Sequence, residues 1–132
     1  MSLYINLKKE KHKKFATKMV KHKCRLPNMN SLFISLVKEK SGPLNQFLLH
    51  CAPHSLQILR IECSYSFAPF CSTGLVEVAS GVTGGLFLQG LKIWRASFED
   101  IVKAASYTRQ LVFDSCNIDS SQMIDFSGPD YR

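Results

Sequence analysis

The sequence predicts one small α/β domain in which short strands alternate with helices. Its 132 residues match the usual size of a single domain, and 45% of them are hydrophobic. Residues 55–63, 91–94 and 110–114 have the apolar patterning and length of short strands. Helical patterns at about 73–80 and 97–105 separate these strands. Strands that alternate with helices are typical of a parallel sheet.

The positive charge is concentrated near the N-terminus. The whole chain has a net charge of +7, whereas residues 8–25 alone carry +8, since Glu10 is their only acid. Lysine repulsion and a narrow apolar stripe (Phe15, Met19 and Val20) predict a basic arm over residues 1–26, flexible or helical, whose residues 3–7 are extended. The basic residues of this arm are Lys8, Lys9, Lys11, Lys13, Lys14, Lys18, Lys21, Lys23 and Arg25.

Residues 27–54 are predicted to form a helical N-terminal cap. A first helix is expected over 30–41, because four apolar residues recur at helical spacing, and Gly42-Pro43 would end it. These residues are Leu32, Phe33, Leu36 and Val37. A second helix would place four further apolar residues on one side and stop before Pro53. They are Leu44, Phe47, Leu48 and Cys51.

Local sequence signals also predict the start of a helix at Ser97 and a turn at residues 81–85. Ser97 is a candidate N-cap for a helix that buries Phe98, Ile101, Val102 and Ala105. The glycine-rich stretch 81–85 lacks the Lys-Ser/Thr ending of a phosphate-binding loop, so it is interpreted as a turn.

The three strands share one pattern of apolar positions. The copies are Leu56-x-x-Leu59-x-Ile61-x-x-Ser64, Leu88-x-x-Leu91-x-Ile93-x-x-Ala96-x-Phe98 and Thr108-x-x-Leu111-x-Phe113-x-x-Cys116-x-Ile118. From residue 44 onward the chain resembles a degenerate leucine-rich-repeat protein of the ribonuclease-inhibitor-like class. Residues 98–118 are similar to divergent repeats of ciliate proteins. The resemblance implies a short solenoid of parallel strands with convex helices, with repeat units over 55–126 and a tail over 127–132.

The same resemblance implies a non-catalytic module that binds another protein with the concave face of its strands. The residues expected on that face are Ile58, Arg60, Glu62, Lys92, Trp94, Gln110, Val112 and Asp114. The alternative is an RNA-associated accessory protein of ribosomal type, anchored by the basic residues of the arm. Neither hypothesis requires a cofactor or a small-molecule substrate.

Other chemistry has weaker support in the sequence. His50-Cys51-x-x-His54, with Cys63 or Cys71, contains zinc-ligand types but lacks a second ligand pair at finger-like spacing. No residue pattern activates a cysteine nucleophile, so an enzyme is not expected. Five cysteines without a C-x-x-C pair, together with the absence of a signal-peptide pattern or a long apolar run, predict an intracellular protein, cytoplasmic or nuclear, that does not contact a membrane.

Overall fold

The computed structural model describes residues 1–36, 41–64 and 73–119, and it confirms an α/β fold with a parallel sheet. The strands are β1 (Ser2–Asn6), β2 (Met29–Leu36), β3 (Leu56–Cys63), β4 (Val82–Gln89), β5 (Lys92–Trp94), β6 (Gln110–Asp114) and β7 (Asn117–Asp119). The helices are α1 (Glu10–His22), α2 (Ser41–Cys51), α3 (Thr73–Ala79) and α4 (Arg95–Ala104).

Five strands form the main sheet in the order β1-β2-β3-β4-β6, and every neighbouring pair is parallel. Each strand of this sheet therefore pairs with the strand of the same sheet that follows it in chain order, and a helix lies in every connection between them. One leucine from each strand lies opposite its neighbour in the register. We call them the anchoring leucines; they are Leu3, Leu32, Leu59, Leu86 and Leu111. Strands β5 and β7 form a separate parallel pair.

The core lies between one face of the main sheet and the helices. The helices pack in chain order, α1 against α2, α2 against α3 and α3 against α4. Because side chains alternate along a strand, the anchoring leucines and the apolar residues two positions later point to the same face. Leu32, Leu59 and Leu86 are fully buried there. We call the other face, which helices α1 to α4 do not cover, the open face.

The N-terminal segment is part of the fold. Residues 2–6 are extended, as predicted, and they pair with β2 at the edge of the sheet. Helix α1 packs Ala16, Met19 and Val20 against the core, whereas Phe15 is 41% exposed. The backbone N–H of Asn6 donates a 2.7 Å hydrogen bond to Nδ1 of His12, which fixes the start of α1 against β1.

The helix predicted over residues 30–41 is wrong for residues 30–36, which belong to strand β2. Their apolar residues fit a helical spacing, but Leu32, Ile34 and Leu36 are also two residues apart, and all three are buried on the helix-covered face. Phe33 faces the opposite way and is half-buried. An apolar residue on both faces hides the alternation by which a strand is recognised. A helical cap therefore describes only the second half of residues 27–54.

The turn predicted over residues 81–85 is also wrong, since β4 begins at Val82 and continues through both glycines. The second repeat copy was consequently placed five residues too late, at Leu91-x-Ile93 in place of Leu86-x-Leu88. In the observed register Leu32, Leu59, Leu86 and Leu111 are 27, 27 and 25 residues apart.

The remaining predicted elements are present in the structure, and some of them differ in bounds, pairing or burial. Strands β3 and β6 and helices α2 and α3 have nearly the expected bounds, and the predicted apolar residues of α2 are all buried. Residues 92–94 form a strand, but in the two-stranded sheet. Helix α4 begins two residues before Ser97, and Trp94 takes the N-cap position. Val102, predicted to be buried, is 42% exposed.

Some predictions lie outside the described residues: the tail over 127–132, the end of the repeat units at 120–126, and any role for Cys71. Within the described ranges, no helix combines the length and hydropathy needed to cross a bilayer.

Candidate functional site

The open face presents one row of large side chains that crosses all five strands of the main sheet. The residues follow directly from the strand register, because partners in adjacent parallel strands point to the same face. We call this set the aromatic row. From edge to edge it consists of Tyr4, Phe33, Arg60, Phe87 and Val112.

Contacts between rings and a guanidinium hold the aromatic row together. The ring centroids of Tyr4 and Phe33 are 4.8 Å apart at an interplanar angle of 55°. Cζ of Arg60 lies 5.9 Å from the ring centroid of Phe33 and 5.0 Å from that of Phe87. Both distances fall within the range of a cation–π contact. The positive charge of Arg60 is thus positioned between two phenyl rings rather than extended into solvent.

A groove of about 540 Å³ lies beside the aromatic row, near the start of strands β3, β4 and β6. It exists because Gly85 has no side chain between Ile58 and Gln110 in the register. The ring of Phe87 leans over the glycine, so that a Cβ at position 85 would lie 2.5 Å from Cε2 of Phe87. Arg109 contributes the one charged side chain among the residues that line the groove.

A second row, two residues further along each strand, is polar. It consists of Asn6, Ser35, Glu62, Gln89 and Asp114. The hydroxyl of Ser35 donates a 3.4 Å hydrogen bond to Oε2 of Glu62. Glu62 and Asp114 oppose the charges of Arg60 and Arg109 on this side of the molecule. The open face is therefore aromatic in its middle and balanced in charge.

Six of the eight residues predicted to bind a protein lie on the open face: Ile58, Arg60, Glu62, Gln110, Val112 and Asp114. Lys92 and Trp94 do not, because β5 belongs to the two-stranded sheet, where they pair with Asn117 and Asp119. The structure thus separates the single tryptophan from the surface on which it was expected.

Tyr4, Phe33 and Phe87 supply the aromatic character of the open face, but none of them is among the residues predicted there. The sequence pattern places Tyr4 in the basic arm and Phe33 in a helix, and it predicts no element around Phe87. The signal that identifies them is the spacing of the anchoring leucines. Each missed aromatic residue directly follows one of them, as Arg60 follows Leu59.

The basic residues of the N-terminal segment have different surroundings. Arg25 hydrogen-bonds to the backbone of the fold. Its Nη1 donates to the carbonyl oxygen of Ala52 at 2.7 Å, and its Nη2 donates to that of Leu49 at 3.0 Å. Lys8 and Lys9 precede α1, and Lys23 follows it in a left-handed conformation with φ of 50°. The other five lie on α1 and are exposed: Lys11, Lys13, Lys14, Lys18 and Lys21.

The cysteines of the described ranges are all free thiols. Cys51 and Cys63 are buried, and the thiol of Cys116 donates to the carbonyl oxygen of Leu88 at 3.4 Å. Burial raises the pKa of both Cys51 and Cys116. His54 is exposed, whereas Cys51 is buried in the core. Nowhere in the described parts of the chain do three histidine, cysteine, aspartate or glutamate side chains converge as metal ligands.

Comparison of the chain with family models, with curated proteins and with solved structures found no match.

Proposed function

We propose that this protein is a non-catalytic interaction module that binds another protein through the open face of its sheet, and that its strand–helix units form a short solenoid of leucine-rich-repeat type. The aromatic row is the observation on which the binding proposal rests. It places two phenylalanines, a tyrosine and an arginine side by side on a surface that none of the described helices covers.

Two observations support the solenoid part of the proposal. Each strand of the main sheet pairs with its neighbour in chain order, as successive repeats do. The anchoring leucines from Leu32 to Leu111 recur every 25 to 27 residues, which is within the period of leucine-rich repeats. Cys116 also occupies the Asn/Cys position of that repeat pattern.

Composition and exposure favour a binding role for the open face. Tyr4 is 47% exposed and Ile58 is 41% exposed, beside the half-buried rings of Phe33 and Phe87. Contiguous apolar surface with a polar border is typical of interaction sites. Tyrosine and arginine are enriched among the residues that dominate binding energy at protein interfaces.

The charge of the open face favours a protein over a nucleic acid. A groove for single-stranded nucleic acid combines aromatic side chains with an excess of positive charge along the backbone path. Here Arg60 and Arg109 are balanced by Glu62 and Asp114. The aromatic row therefore suits a partner segment whose apolar side chains contact the rings and whose acidic groups approach Arg60 and Arg109.

The test is selection of binding sequences from a library of displayed peptides, followed by titration of the selected peptides against purified variants. We expect them to bind the native chain and to lose at least about tenfold in affinity to Phe87→Ala, because truncation of a central aromatic anchor typically costs 1–2 kcal/mol or more. Val102→Ala on α4 is the matched control, since Val102 is exposed but lies away from the open face.

Circular dichroism must show that Phe87→Ala folds as the native chain does. A second variant, Arg60→Gln, tests the row through its charge without removing a ring. If no sequence is enriched, or if the enriched peptides bind both open-face variants as tightly as the native chain, the open face is not the binding site and the proposal fails.

A further inference from the structure

Helix α1 carries a straight line of lysines on the side away from the core. Its packed side is defined by Ala16, Met19 and Val20. An α-helix turns by about 100° per residue, so residues spaced by three and four lie on one side. Four lysines with this spacing fall opposite the packed side and extend over about 15 Å. We call them the lysine stripe; they are Lys11, Lys14, Lys18 and Lys21.

The lysine stripe lacks negative partners within the described part of the molecule. Its four ammonium groups are exposed, and none of them forms an ion pair or a hydrogen bond with the described residues. Glu10 is the only acid in α1. Like charges three or four residues apart destabilise a helix. Packing against the core and β1 therefore holds these charges together, and an external polyanion would relieve their repulsion.

We propose that the lysine stripe binds the phosphate backbone of duplex nucleic acid, without sequence preference. A rigid helix presents its charges in a fixed line, which suits the fixed phosphate positions of a duplex. Lysine is a point charge without the planar geometry that reads a base edge. Proteins that bind single strands stack the bases on aromatic side chains, and Phe15 is the one phenylalanine, tyrosine or tryptophan on α1.

The packing of α1 argues against a lipid surface as the partner. An amphipathic helix binds a bilayer by burying its apolar side among the acyl chains. In this protein the apolar side of α1 already contacts the core through Ala16, Met19 and Val20. The site is also distinct from the open face, so the two proposals can fail independently.

The test is fluorescence anisotropy of labelled 20-base-pair RNA and DNA duplexes titrated with full-length protein at several salt concentrations. For four phosphate contacts, the plot of log affinity against log salt should have a slope of roughly −3 to −4. We expect Lys14→Gln/Lys18→Gln to weaken binding at least about tenfold at low salt and to reduce the slope by about 2. Glutamine keeps a helix propensity close to that of lysine.

The matched control is Arg95→Gln/Lys103→Gln, which removes two positive charges from exposed positions on α4, away from both α1 and the open face. We expect this control to change affinity less than about threefold, with the slope preserved. Equal losses in both variants would mean that net charge alone is responsible and would overturn the proposal. It would also be overturned if the native chain failed to bind either duplex, or if it bound anionic vesicles but no duplex.

Discussion

At the residue scale, Cys51 shows how a small side chain contributes to the core while its reactivity is suppressed. It is the last residue of α2 and is fully buried. Burial raises the pKa of its thiol, and the nearby positive charge of Arg25 offsets only part of this effect. The thiol therefore stays protonated at a pH where an exposed cysteine forms a thiolate, which is the nucleophilic species.

This difference predicts a pH dependence of stability. The pKa of Cys51 in the folded state lies above its ordinary value of 9.0, so the unfolded chain loses its thiol proton first as the pH rises. The contribution is fully present below pH 9.0 and is lost above it. Between pH 8 and pH 10, the free energy of unfolding should fall more steeply in the native chain than in Cys51→Ala. Urea unfolding under reducing conditions measures it, and identical pH profiles would contradict it.

The elements show which parts of the fold the sequence could predict. Helix α2 was identified because its apolar residues share one side and Pro53 prevents its continuation. Strand β2 was not, because Phe33 on the open face makes the segment apolar on both faces. Its local pattern fits a helix equally well, and only the 27-residue distance from Leu32 to Leu59 identifies it as a strand. That distance becomes informative only when the register is known.

A buried hydrogen bond joins helices α2 and α3, and its removal predicts a specific loss of stability. Oδ1 of Asn45 accepts a 2.6 Å hydrogen bond from the backbone N–H of Gly74, and this bond is buried. Asn45→Ala leaves that N–H without its partner, and we expect it to reduce the free energy of unfolding by about 1–3 kcal/mol.

Gln46→Ala is the control for this prediction, because Gln46 is the next residue in the same helix but is exposed. Its effect on urea unfolding should stay within about 0.5 kcal/mol. Equal losses in the two variants would indicate that helix propensity, and not the buried contact, determines the result.

For the whole molecule, the basic segment is the first structural unit of the fold and not the appended arm that its charge predicts. Ile5 is buried in the core, and Arg25 and Leu26 bond to the end of α2. Removal of residues 1–26 should therefore lower the free energy of unfolding by at least about 3 kcal/mol, since burial of one large aliphatic side chain alone contributes about 1.5–3 kcal/mol.

Chemical unfolding of residues 27–132 beside the full chain tests this expectation. Lys14→Gln/Lys18→Gln is the useful comparison, because it alters the charge of the segment and leaves its packed side intact. If the shortened chain unfolded at the same urea concentration as the full one, residues 1–26 would be a detached arm after all.

The proposed binding surface could be predicted from the sequence only in part, because one apolar spacing occurs twice in succession. In β4 and β5 the spacing of Leu86-x-Leu88 recurs as Leu91-x-Ile93, five residues later. Both leucine-containing pairs are buried and both fit the repeat pattern. The local sequence therefore does not show which pair belongs to the main sheet (β4) and which leads into the two-stranded sheet (β5). The repeat copies around Leu59 and Leu111 coincide with strands of the main sheet, so Arg60 and Val112 fall on the expected face.

The alternation of side chains along each strand separates the core residues from those of the proposed binding surface. Leu32, Leu59 and Leu86 maintain the core, while their immediate successors Phe33, Arg60 and Phe87 point to the open face. If the open face binds a partner as proposed, a substitution in the aromatic row changes that surface with little cost to the core behind it. The specificity of the proposed surface would then diverge one strand at a time, and insertion of another strand–helix unit would lengthen it without requiring a new fold.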